Sequence, residues 1–189
     1  MLGILTEIAG AYLVNAFCSW VMQLGDGAPS LLLKAIEKYS GVITDLSSLE
    51  PKMVTYVIIA APMIEELVFR VLFFMIFLKF MPFWAANILQ AALFGVYHGV
   101  FIQGIYAFLI GLVIGAVFYY TKRGAKGSQI APLIAYIFSL LFHVTVNTAG
   151  LYLAPHLPAE LSVGVQAAVG LGLSIVIVGA ILYGNSNRR

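Results

Sequence analysis

Between Leu2 and Tyr183 the chain divides into long apolar stretches separated by short polar turns, and this pattern constrains its fold more than any single residue does. A helix needs about 20 apolar residues to cross a hydrocarbon core ~30 Å thick. It also satisfies its own backbone hydrogen bonds there, which irregular chain cannot. The stretches cover residues 2–24, 52–79, 83–101, 104–121, 129–153 and 160–183. The expected fold is all-α: a polytopic membrane bundle of about six transmembrane helices, forming one domain over 1–189. Residues 30–50 differ, mixing Leu and Ile with Lys34, Glu37, Lys38, Asp45 and Glu50, and read as an amphipathic segment lying in the interface. Only 10% of residues are charged, against about 25% in soluble domains. A net charge of +2 gives no reason to expect a nucleic-acid partner. The single cysteine, Cys18, excludes an internal disulfide or a multi-cysteine zinc site and reads as a small buried apolar residue. No basic segment precedes the first apolar stretch, so a cleaved signal peptide is not expected.

Six crossings would place both termini on one side of the membrane. That side would hold Lys79, Lys122, Arg123, Lys126, Arg188 and Arg189, and the other Lys34, Lys38 and Lys52. The positive-inside rule then makes the termini cytoplasmic.

The second apolar stretch carries charge where a membrane helix least tolerates it: Glu65, Glu66 and Arg70. Each such group costs on the order of 2.5–3.5 kcal/mol at the bilayer centre on insertion scales, so three together mark a functional segment. Arg70 follows Glu66 by four residues, about 40° around a helix, and the two can pair. Glu65 lies roughly 140° from Arg70 and has no partner within the helix. Pro62 should free the carbonyl of Ile58 and kink the helix just before the carboxylates.

Polar residues recur on two further stretches. Asn87, Gln90, Phe94 and His98 share one helix face, and His143 and Asn147 are one turn apart. Glu65 is fourteen residues from Lys79, His98 fifteen from Phe83 and His143 fourteen from Gln129. At ~1.5 Å per residue each lies about 21–23 Å from the cytoplasmic ends. One site built by three helices accounts for that agreement. Its carboxylates, imidazoles and amide can activate water and stabilise an oxyanion. Buried Glu and His also mark ion routes, so an ion-coupled transporter or proton pathway is the alternative from another class. Against it, the chain has no inverted repeat or second broken helix. His156, in a loop, reads as an interfacial residue.

Glu65-Glu66-x-x-x-Arg70, Phe94-x-x-x-His98 and His143-x-x-x-Asn147 resemble, in order, the three motifs of the CPBP family, the type II CAAX prenyl endopeptidases and their Abi relatives. The resemblance covers roughly 52–153 and implies a glutamate-dependent intramembrane peptidase. By it, Glu65 with His98 would activate water, and His143 and Asn147 would bind the oxyanion. Glu66 and Arg70 would hold the first motif helix, with Phe94 packed beside the site. The implied substrate is a membrane-anchored protein or peptide, such as a leader, a C-terminal sorting tail or a CAAX-like end. A non-catalytic bacteriocin-immunity protein on the same fold is the other reading. The implied location is a bacterial or archaeal inner membrane. A metal-free mechanism is favoured because Asn is a poor zinc ligand. The alternative is Zn²⁺ held by Glu65, His98 and His143.

Overall fold

Proline and glycine set the helix boundaries. The computed structural model describes residues 1–158 and 160–186, and every regular element among them is helical. Helix α1 is Leu2–Gln23, and α2, Ser30–Ser47, starts just after Pro29. A continuous helical run over 51–80, here α3, begins with Pro51 in its first turn. Pro82 precedes α4, Phe83–Tyr97. Then come α5, Phe101–Gly124, α6, Ala131–Tyr152, and α7, Val163–Ser186. Arg188 and Arg189, which entered the expected charge asymmetry, lie outside the described residues.

The membrane bundle is present. By length and composition, α1, α5, α6 and Val163–Tyr183 of α7 can each cross a membrane. Four of the six expected spans qualify on this ground alone. The fifth, α4, is shorter than read because Gly99, at φ +68°, ends it. Glycine adopts this left-handed conformation without the steric cost of a side chain and is the usual residue just past a helix end. The backbone N–H groups of His98 and Gly99 turn back to the carbonyls of Gly95 and Val96. The last turn closes there, and His98 becomes the cap rather than a mid-helix residue.

The sixth candidate, α3, is not a regular α-helix. An α-helical segment, Ala61–Glu66, carries both carboxylates between π-helical Tyr56–Ala60 and Leu67–Phe74. The π register changes which carbonyl Pro62 strands. The N–H of Ala61 bonds the carbonyl of Tyr56, five residues back. Pro62, lacking an N–H, therefore deprives Val57 rather than Ile58. Asn147 of α6 supplies the missing donor, Nδ2 to the Val57 carbonyl at 3.0 Å.

Leu32, Ala35, Ile36 and Tyr39 of α2 recur at helical spacing and pack with Val14, Val21 and Ile102. The amphipathic segment thus rests on α1 and the start of α5. Deeper along α1, the Tyr106 hydroxyl of α5 donates to buried Glu7. Gly10 makes room for the Tyr106 ring, and Gly150 of α6 for the Glu7 carboxylate.

Three ridges meet at the centre, each rising in steps of four residues. The inner layer is apolar: Phe74, Ala86 and Ala135, packed with Phe118. One turn outward lie Arg70, Gln90 and Ser139, all 0% exposed. A further turn outward lie Glu66, Phe94 and His143.

Candidate active site

Two adjacent glutamates of α3 occupy opposite environments. Glu66 is sealed, with a side-chain exposure of 0%, while Glu65 keeps 13% of its side chain accessible. Successive residues on a helix diverge by about 100°, so only one of the pair can face the same way. Glu66 meets Arg70 on its own helix, Oε1 to Nη1 at 3.3 Å, both fully buried. This is the i,i+4 pair expected from the sequence. It is close enough for charge pairing but not aligned as a hydrogen bond. The aligned contact comes from α6: His143 Nδ1 donates to Glu66 Oε1 at 2.8 Å, across 77 residues. Sequence reasoning did not find it, because nothing local ties a residue to a partner on another helix.

The two histidines are each fixed by an acceptor. A carboxylate paired with a guanidinium has no proton to give, so Nδ1 of His143 carries the hydrogen in that bond. Its Nε2 then faces Glu65 Oε2 at 3.6 Å. His98 Nδ1 lies 2.8 Å from the carbonyl of Phe94. A carbonyl can only accept, which leaves Nε2 of neutral His98 as a bare acceptor.

Phe94 is the hub. His98 and His143 meet its ring nearly perpendicularly, with centroids 4.8 and 5.7 Å away. The Arg70 guanidinium carbon sits 4.5 Å from the ring centroid, a cation–π contact that partly replaces the hydration a buried cation loses. Phe69 closes the outer edge at 5.1 Å.

The structure thus brings Glu65, Glu66, Arg70, Phe94 and His143 into one cluster, with His98 joined through the Phe94 ring rather than by an ion pair to Glu65. Asn147 lies one turn beyond His143, with one amide hydrogen on Val57 and the other without a partner among the described residues. Tyr136, absent from the sequence reading, donates to the Met63 carbonyl at 3.1 Å. Tyr136 and His143 clasp the carboxylate segment from the side, and Asn147 holds the π segment just before it.

The donors proposed for zinc do not fit it. Among the described residues no three His, Cys, Asp or Glu side chains form a group able to hold a metal ion. Residues 47–149, more than half of the chain, match a family model described as type II CAAX prenyl endopeptidase Rce1-like. This chain belongs to the Rce1-like family. All three motifs fall inside the matched residues. Neither the curated proteins nor the solved structures include a match to the chain. The Rce1-like family is a protease family, and with four long apolar helices the chain is an integral membrane protein of protease type.

Proposed function

We propose that this Rce1-like protein is a glutamate-dependent intramembrane endopeptidase acting on a membrane-anchored protein or peptide. The observation that carries the reading is the division of labour between Glu65 and Glu66. A charged, sealed Glu66 serves to fix a histidine, whereas Glu65 keeps part of its side chain accessible and faces an imidazole.

In the reaction Glu65 takes a proton from water as the water oxygen attacks the peptide carbonyl. His98, with Nε2 bare, accepts the water's second hydrogen as a hydrogen bond and orients it. The carbonyl becomes an oxyanion as its carbon turns tetrahedral. The second amide hydrogen of Asn147 stabilises that charge together with His143, whose ring Glu66 holds in place. On collapse the C–N bond breaks and protonated Glu65 returns its proton to the leaving amine. Water and peptide thereby give a carboxylic acid and an amine.

No step passes through a metal. Purified protein is expected to retain its turnover after exhaustive chelation. About one zinc per chain, with activity lost and restored in step with it, would reverse this assignment.

The orientation follows the basic residues: termini inside, α2 outside. A depth of about 21–23 Å from the inner ends then leaves less than ~10 Å of hydrocarbon above Glu65. Water and substrate would enter from the outer side beside α2. Single cysteines at exposed Ser48 and Ser128, in a Cys18→Ser background, test this in intact cells. A membrane-impermeant thiol reagent should label Ser48→Cys alone. Labelling of Ser128→Cys alone would turn the site towards the cytoplasm.

A further inference from the structure

The polar layer beneath the site contains more hydrogen-bonding capacity than the contacts described so far use. Arg70, Gln90 and Ser139 each lie midway between a residue of the apolar floor and a residue of the catalytic layer. On α3, Phe74 packs against Ala86, and Arg70 sits over Phe94. Gln90 lies between Ala86 and Phe94 on the same ridge of α4, at the height of Arg70.

Gln90 has two ends with different duties. Its Nε2 donates to the Gly111 carbonyl at 3.0 Å and to Asn87 Oδ1 at 2.9 Å. Gly115 leaves the space these contacts need: a Cβ there would collide with both amides. The other end, Oε1, is buried without a hydrogen-bond partner among the described residues. So are Nε and both Nη atoms of Arg70, Nη1 meeting Glu66 only as an ion pair. Buried polar groups are rarely left unmet, because each costs the desolvation that a partner would offset. Two acceptors around these donors are likewise unmet, Glu66 Oε2 one turn along α3 and Gln90 Oε1 on the facing ridge of α4; of the two, Gln90 Oε1 is the one that stands at the level of Arg70.

We propose that Gln90 is a positioning residue of the active site: its Oε1, through bound water, steadies the Arg70 guanidinium against Glu66 and so holds His143 for the reaction. The chain runs Gln90, Arg70, Glu66, His143, crossing α4, α3 and α6 in turn. Ser139, one turn from His143 on α6, is buried and donates to the Tyr136 carbonyl. The inference rests on the peptidase reading for its purpose but not for its test.

The protein has three histidines. With ¹⁵N-labelled histidine, the Nδ1–H proton of His143 is observable as a downfield, slowly exchanging resonance, assigned by its loss in His143→Gln. It should be present in wild type. Gln90→Met, which removes the acceptor, and Gln90→Asn, which is too short to reach, should reduce its intensity by about half or more as the Glu66 bond loosens. Gln90→Glu, which keeps an acceptor at the same reach, should retain it. Asn87→Ala breaks contacts in the same α4–α5 seam while leaving Oε1 of Gln90 in place, and should also retain it. Thermal unfolding of each variant shows whether it is folded, and should one of Gln90→Met and Gln90→Asn not fold, the other decides. Persistence of the resonance in the folded acceptor-free variants overturns the proposal. So does its equal loss in Asn87→Ala, which would make both amides packing groups only. No substrate enters the measurement, so absence of cleavage by wild type would sink the peptidase reading and leave this result standing.

Discussion

Glu65→Gln is expected to abolish peptide cleavage while the protein inserts and folds as wild type. The amide cannot take a proton from water, and a positioned base is worth about 10²–10⁴-fold in rate. Folding should survive because, among the described residues, Glu65 is in no ion pair with Arg or Lys, and its contact to His143 is 3.6 Å long. The measurement is turnover of a membrane-anchored peptide, prenylated and unprenylated forms in parallel, beside thermal unfolding in the same detergent. Wild-type turnover in the variant would remove Glu65 as the base. Loss of folding would show that its role is structural instead.

Glu66→Gln should do the reverse, with its first effect on stability. It leaves Arg70 charged, 0% exposed and without the carboxylate that pairs with it. Breaking one half of a buried pair costs roughly 3–5 kcal/mol, mostly the price of stranding the other half. The double variant Glu66→Gln/Arg70→Met should therefore be more stable than Glu66→Gln alone. Equal stability of the two would mean that Arg70 finds its compensation elsewhere, for which the Phe94 ring is the nearest candidate. The single substitution also removes the carboxylate that fixes His143, so any folded fraction should turn over slowly.

Much of the framework was legible because it rests on local rules. Apolar length gave the bundle, and four-residue spacing gave the Glu66–Arg70 pair. The ridge Asn87, Gln90, Phe94 was visible as one face of α4, and all three are buried. What escaped the sequence reading depends on backbone register or on partners far apart. Pro62 signalled an interrupted helix, but only the structure shows the π turn that moves the stranded carbonyl to Val57. Gly99, directly after His98, was a readable stop signal, and using it would have placed His98 at the end of α4. Glu7 stands as the one acid among the apolar residues of the first stretch. A lone acid in such a run could have prompted a search for a donor, which is Tyr106 on α5. The Glu66–His143 bond had no local signal at all.

The two π segments also have a mechanical consequence. Where the α-helical hydrogen-bond ladder changes register, a helix bends more easily than along an unbroken α run. The carboxylate segment Ala61–Glu66 is therefore a short rigid rod between two compliant joints, and it is gripped laterally by Tyr136 and His143 of α6, while Asn147 ties the joint before it at Val57. Bilayers differ in thickness, and a mismatched helix tilts or flexes at modest cost. In α3 that deformation can be taken up on either side of the rod. The carboxylates keep their distance from the imidazole while the ends of the helix follow the lipid.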